Sequence, residues 1–273
     1  MRLRSILASV AATAMAAISL PMAAQAAPGN TVVFGDSLIA NPSVADYAAS
    51  KIPGLPNPKI SKSGCPTDFL FSGTYGATTN RPTDDYTCAG ASFRTGGMRI
   101  DAEIQRAIDQ GDLNPQTSEI VILAGANDTY PYVLNERMPV PQIRENLRVA
   151  VRDAVNKAKH HAPNARVKLV GYPRIGTPTG EVCVVNTTPG PGVPTLGVNV
   201  KEVEDGLQWA VVDAARDTGS LFVDSKGISA GHEMCSPDRW VAGIIDTTAG
   251  PHNLILHMTN DGLSAVARNA ALA

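Results

Sequence analysis

Ser37 stands in Gly35-Asp36-Ser37-Leu38, directly behind Thr31-Val32-Val33-Phe34, and the position admits two readings. A serine there can cap the helix that follows, its hydroxyl accepting from a free main-chain N–H. It can also be a nucleophile presented at the end of a buried strand. A serine hydroxyl attacks a carbonyl only when a base takes its proton and N–H donors receive the charge developing on oxygen. The chain holds candidates for both needs. "CAGASFRTGG" (Cys88 to Gly97) is a glycine- and serine-rich turn before a helical pattern, Gly125-Ala126-Asn127-Asp128 follows an apolar run, and "LHMTNDGL" sets His257 before a final helical segment. Taken singly, each is ordinary. Gly90 can be a turn glycine at positive φ, Asn127 can bond its own turn, and Asp128 can tie nearby loops together. His257 alone reads as an exposed polar residue.

These residues need elements to position them. Val32 to Phe34, Ile120 to Ala124, Ala165 to Pro173 and Ser220 to Asp224 read as strands, with Lys59 to Ser61 a weaker fifth. Between them lie helical patterns at Val44 to Lys51, Met98 to Gln110, Gln142 to His161 and Val200 to Thr218, and a last at Asp261 to Leu272. In the third, Ile143, Leu147, Val151, Ala154 and Ala158 recur at spacings of three and four, which makes one buried stripe. Strands alternating with helices predict a mostly parallel sheet covered on both faces. Pro53 to Arg81, Gly176 to Asn199 and Ser225 to Asn253 fit no element, and loops of that length inside one domain are usually functional. In open α/β sheets ligands sit beyond the carboxyl ends of the strands, near a switch point, which is where the three turn motifs fall.

In this order along the chain, Ser37, Gly90, Asn127 and His257 resemble the four blocks of the SGNH hydrolases, also called GDSL esterases and lipases. Secreted actinobacterial members are the most similar, with disulfides and a segment like Gly231-His232-Glu233-Met234-Cys235 followed by Trp240. The resemblance implies a flavodoxin-like three-layer α/β/α sandwich and a cofactor-free serine esterase. Ser37 is then the nucleophile and His257 the base. The main-chain N–H groups of Ser37 and Gly90, with the Asn127 side-chain amide, form the oxyanion hole. The substrate is a small-molecule, lipid or envelope-glycan ester, and the same machinery could pass the acyl group to a sugar hydroxyl. A non-catalytic envelope-binding protein on the same fold is the alternative.

The sequence also departs from the family. Many relatives carry Asp-x-x-His, where the aspartate orients the imidazole, but Leu254 stands three residues before His257. The main-chain carbonyl of Leu254 is the expected acceptor for Nδ1, with Asp246 and Asp261 as alternatives. Proline and asparagine of the usual H-P-N-x-x-G are replaced in His257-Met258-Thr259-Asn260-Asp261-Gly262, where Thr259 can cap the helix and Asp261 suits its first turn. His232-Glu233 lacks the second histidine of a zinc-protease motif, since position 236 is Ser236. His160-His161 ends a helix, where cations suit the dipole. Tyr130 and Tyr132, just after Asn127, are candidate walls of an acyl or glycosyl pocket.

The first 26 residues have two early arginines, a short alanine-rich apolar run and small residues ending Ala24-Gln25-Ala26. That layout predicts a secretory signal peptide over 1–26, cleaved before Ala27, and a secreted or envelope-associated single domain over 27–273. No later run approaches the ~20 apolar residues of a membrane span. Losing Arg2 and Arg4 moves the formal charge from -2 to -4, which gives no footprint for nucleic acid. A monomer is expected. Four cysteines in an exported chain read as two disulfides. Of three possible pairings, Cys65–Cys88 and Cys183–Cys235 are favoured because each staples one loop-rich excursion. No two cysteines have metal-ligand spacing, and no metal is expected.

Overall fold

The computed structural model describes residues 29–52, 54–55 and 59–273; the expected signal peptide and its cleavage site lie outside the described residues. The strands are β1 (Thr31–Gly35), β2 (Thr83–Asp85), β3 (Glu119–Leu123), β4 (Arg166–Val170), β5 (Val185–Asn186), β6 (Leu221–Val223) and β7 (Ile245–Asp246). Five of them form one parallel sheet in the order β2-β1-β3-β4-β6, and β5 pairs with β7 in a small separate ladder. Every residue of β1 and β3 is buried, so these strands read as nearly unbroken apolar runs rather than as an alternation.

The helices are α1 (Ser37–Ala40), α2 (Val44–Ala49), α3 (Leu70–Thr79), α4 (Ile100–Asp109), α5 (Val140–His161), α6 (Lys201–Thr218) and α7 (Asn260–Leu272). On one layer α3 packs against α7; on the other α5 lies between α4 and α6. The result is the three-layer α/β/α sandwich predicted from the sequence. The chain runs from β1 outward to β2 and then back past β1 to β3, so the strand order reverses between β1 and β3. A crevice opens beyond the carboxyl ends of strands at such a reversal. Ser37 follows one of these two strands and Asn127 the other. The α5 stripe of Ile143, Leu147, Val151, Ala154 and Ala158 is buried as its spacing requires.

Several elements differ from the sequence reading, among them the short β5–β7 ladder, whose strands lie inside two of the segments that fit no element. Lys59 to Ser61 is not a strand; Ile60 makes one isolated bridge to Pro66, and the sheet edge is Thr83–Asp85 instead. An edge strand with one neighbour needs no apolar run, so its Thr-Asp-Asp sequence gives no strand signal. The stretch Pro53 to Arg81 holds α3, although Gly73 and Gly76 lower its helix propensity. Burial of Phe71 and Tyr75, four residues apart on one face, overrides that propensity. Gly76 is also needed, because a Cβ there would lie 2.7 Å from Thr83 Oγ1. At the opposite edge of the core Lys168 is buried, its ammonium held by Glu119 Oε1 (3.2 Å), Tyr75 OH (2.8 Å) and the carbonyl of Ala270 (3.0 Å), which joins α3 and α7 to the sheet.

Candidate active site

Gly35 ends β1 where the chain must turn sharply under α1. A Cβ there would sit 2.5 Å from Ile39 Cδ1 and 2.6 Å from the Leu123 carbonyl oxygen, so only glycine fits. Asp36 is extended and its Oδ1 accepts from Leu38 N at 2.9 Å, which makes the aspartate the cap of α1. Ser37 is therefore the first helical residue, and its hydroxyl caps nothing. It is half-buried while Leu38, Ile39 and Ala40 behind it are buried, and among the described residues its Oγ has no hydrogen-bond partner.

The second block lies beside it because Cys88 N donates to the Gly35 carbonyl at 2.9 Å. Gly90 takes φ +85°, a left-handed conformation open to glycine at no steric cost. The third block is fixed to the second through Asp128. Its buried carboxylate accepts from Phe93 N (2.7 Å), Arg94 N (2.7 Å) and Thr95 N (3.3 Å). Asn127 Nδ2 donates to the Ala91 carbonyl at 2.8 Å, and Tyr130 OH donates to Asn127 Oδ1 at 3.0 Å. Tyr132 lies under the Arg94 guanidinium, 5.0 Å from ring centroid to Cζ.

A phenol joins the serine and asparagine turns. Tyr172, just past β4, donates to Asp36 Oδ2 and accepts from Ala126 N at 3.0 Å. Burial pushes the Asp36 carboxyl up to about 7, and the nearby Asp128 charge adds to the rise, against the hydrogen bonds from Tyr172 and Leu38. Such a group binds more protons in the folded than in the unfolded chain. Its stabilisation is complete below the unfolded value and is lost as pH rises through about 7. Glu103, whose carboxylate accepts from Gly35 N at 3.0 Å, is raised by burial in the same sense. Asp36→Asn should therefore flatten, without abolishing, the fall in melting temperature between pH 5 and pH 8, measured by calorimetry. An unchanged slope would show that Asp36 does not titrate there.

His257 arrives from the far end of the chain on a braced loop. Its carbonyl accepts from Ala242 N at 2.9 Å, Thr259 N donates to the Trp240 carbonyl at 2.8 Å, and Thr259 caps α7. Asn253 Nδ2 reaches the carbonyl of Asn41, the C-cap of α1, at 2.7 Å, and Asp68 at 3.0 Å. The histidine loop is thus pinned to the end of the helix that Ser37 begins. The carbonyl that meets His257 Nδ1 is that of Ile255, at 2.8 Å, and not the expected Leu254 carbonyl. The reason is Leu256, which takes φ +58° and curls the imidazole back over the residue two places earlier. Asp246 is engaged elsewhere, by Gly243 N (3.0 Å), Ala249 N (2.8 Å) and Asn186 Nδ2 (3.1 Å). Asp261 lies in the first turn of α7. Burial holds the His257 imidazole below its usual value, opposed by the Ile255 bond. Nδ1 on a carbonyl leaves Nε2 free to take a proton. No hydrogen bond joins Ser37 Oγ to His257 among the described residues, a bond that in unliganded enzymes often forms only around substrate.

Three donors in this region lack acceptors among the described residues: the main-chain N–H groups of Ser37 and Gly90, and the second hydrogen of Asn127 Nδ2. An apolar cleft of about 370 Å³ is lined by Ala126, Tyr130, Val133, Leu134, Val200 and Val203 among others. Neither this cleft nor a larger groove of about 680 Å³ between α5 and α6 is lined by Ser37, Gly90, Asn127 or His257. Ala126 and Tyr130 of the cleft flank Asn127 in the chain, whereas the groove is lined by ion pairs such as Arg144–Asp213 at 2.5 Å and Arg148–Asp217.

The family described as GDSL-like Lipase/Acylhydrolase matches residues 33–264, most of the chain and all four blocks. The chain belongs to that family. Membership places it in the SGNH superfamily. It is 32% identical to Lipase 2 of Streptomyces coelicolor over 108 residues, which is 38% of this chain and 35% of that protein. The fold is shared with an extracellular lipase from Streptomyces rimosus (TM-score 0.58, 17% identity, 89% of this chain and 99% of that one). It is shared also with phospholipase A1 from Streptomyces albidoflavus NA297 (TM-score 0.55, 20% identity, 90% and 98%).

Within the family's four blocks, the sequence reading missed the groups that hold them together. Asp36 carried a legible signal, since an aspartate directly before a helical run suits an N-cap. Tyr172 and Asn253 carry no local signal, because their roles depend on contacts made across the fold.

Proposed function

We propose that the protein is an exported serine esterase in which Ser37 and His257 act as a dyad. The Ser37 hydroxyl attacks the ester carbonyl as its proton passes to His257 Nε2. The oxyanion is received by Ser37 N–H, Gly90 N–H and Asn127 Nδ2. His257 then protonates the departing alkoxide, leaving an acyl-serine. Water, deprotonated by the same imidazole, attacks that acyl group, and the carboxylic acid leaves. The carrying observation is that these three donors have no acceptor among the described residues, at the ends of the strands that carry Ser37 and Asn127. In a water-excluded site such preorganised donors supply a large share of catalysis. The leader-like first 26 residues and two bonded cysteine pairs support export of the single domain 27–273.

A fluorophosphonate probe tests this directly. Labelling is expected at Ser37 and is expected to vanish in Ser37→Ala; a folded protein that turns over p-nitrophenyl acetate without labelling there would overturn the assignment. The pH profile offers a second check. The base must be neutral, and burial lowers the His257 value, so the acid limb of kcat/KM should fall below the ordinary imidazole value of ~6.5. An acid limb at or above that value would contradict His257 as the base.

A further inference from the structure

The small ladder of β5 and β7 is built inside out. Its register sets Val185 beside Ile245 and Asn186 beside Asp246, so each pair shares one face. The polar pair points inward: Asn186 Nδ2 donates to Asp246 Oδ2 at 3.1 Å, and the buried Arg239 lies 3.7 Å from the same carboxylate. Val185 and Ile245 are left exposed. A sheet folded in water turns its apolar face inward, and the reverse order belongs to strands whose outer face meets hydrocarbon. The exposed apolar surface continues on both sides of the ladder. On one side Thr195 N donates to the Val182 carbonyl at 2.7 Å, which holds exposed Val193 and Leu196 near β5; Leu196 is 96% exposed. On the other, Leu256 N donates to the Gly243 carbonyl at 3.4 Å, which lays exposed Ile255 and Leu256 near exposed Ile244. The stretch from Val182 to Val200 has no Asp, Glu, Lys, Arg or His. From Trp240 to Thr259 the one carboxylate is Asp246, whose side chain is buried.

We propose that this patch docks the protein on a lipid surface of low net charge, with His257 at the rim of the contact. Exposed apolar patches of this kind mark sites of interaction, and the absence of charge here gives a charged partner nothing to pair with. The patch ends at Ile255 and Leu256, immediately before His257. A second copy of the chain seated on it would cover the imidazole, whereas a lipid surface brings ester to it. The chain's weakly negative net charge gives no attraction for anionic headgroups, so the driving force is burial of the aliphatic side chains. Adhesion stands apart from the chemistry; delivery of lipid esters to Ser37 rests on the esterase reading above.

Flotation with phosphatidylcholine vesicles measures the partition of the full-length processed protein. The wild type floats with the vesicles, as well in about 1 M salt, where charge attraction is screened, as at low salt. Val193→Asp/Leu196→Asp lowers the partition coefficient about tenfold or more, the loss expected when two apolar side chains no longer leave water. Ile245→Thr, which keeps the branched shape that suits a strand, lowers it about threefold. Leu272→Asp, on an exposed leucine at the far end of α7 from His257, leaves it unchanged. In the Val193→Asp/Leu196→Asp protein, turnover of soluble p-nitrophenyl acetate equals that of the wild type, while hydrolysis of a long-chain ester carried in the vesicles falls about tenfold. A wild type that stays in solution, binding only to vesicles of anionic lipid, a partition indifferent to Val193→Asp/Leu196→Asp, or a dimer in sedimentation velocity that this double variant dissociates would each overturn the assignment. Vesicle binding without a fluorophosphonate label and without ester turnover would remove the esterase reading and leave the docking surface standing.

Discussion

Ser37→Ala should leave ester turnover at least ~10⁴-fold below the wild type, while the melting temperature stays the same. Both halves follow from the structure. Asp36 caps α1 and the Ser37 hydroxyl bonds nothing among the described residues, so its removal costs the fold little. The proposed chemistry has no substitute for that oxygen. His257→Ala should fall to a comparable level, and the double variant should be no worse than either single one, because nucleophile and base act as a unit. Turnover of p-nitrophenyl butyrate, with calorimetry as the folding control, checks all three. A Ser37→Ala enzyme that keeps more than about a tenth of wild-type turnover would place the nucleophile elsewhere.

Replacing Cys183 and Cys235 by alanine should cost about 4 kcal/mol on the loop-entropy argument. The bond spans 52 residues, against 23 for Cys65–Cys88, whose loss should cost about 3 kcal/mol. For a domain of this size 4 kcal/mol corresponds to roughly a 10 °C fall in melting temperature. Activity at a temperature where the variant is still folded should fall too. The disulfide anchors the segment whose Val184 carbonyl accepts from Ile244 N (2.8 Å) and Ile245 N (3.0 Å). Those residues continue the stretch that braces His257 through Ala242 N. Arg239, buried beside it, fastens the same region through Met234 O (3.1 Å) and Thr248 Oγ1 (3.0 Å). The expected pattern is a lower kcat together with a raised KM, since Ile175 and Val200 of the cleft lining pack against the same disulfide. A melting temperature within about 2 °C of the wild type would show that the non-covalent contacts suffice.

What could be read from the chain, and what could not, divides along a physical line. Strands β1 and β3 are buried and largely apolar, and the serine and asparagine turns each follow one of them, so local pattern and site were legible together. The order of Ser37, Gly90, Asn127 and His257 was legible through the family resemblance. The edge strand at Thr83–Asp85 and the glycine-containing α3 were not, because their stability comes from neighbours far along the chain. The same holds for Tyr172, which links Asp36 to Ala126 across the sheet. The choice between the Leu254 and Ile255 carbonyls turned on one backbone angle, at Leu256, for which leucine gives no warning.

That angle has a consequence for how the imidazole is studied and altered. Where an aspartate aims a histidine, a single codon can remove the aim; here the acceptor is an amide oxygen common to every residue type, and conventional side-chain scanning passes over it. The sensitive chemical change is a swap of the 255–256 amide linkage for an ester, whose weaker oxygen acceptor would loosen the ring while every side chain stayed in place. Under the proposed dyad, natural variation in the proton-transfer step would then be written in the curvature of residues 253–257, and loop grafts, more than point changes, would be the way to tune it.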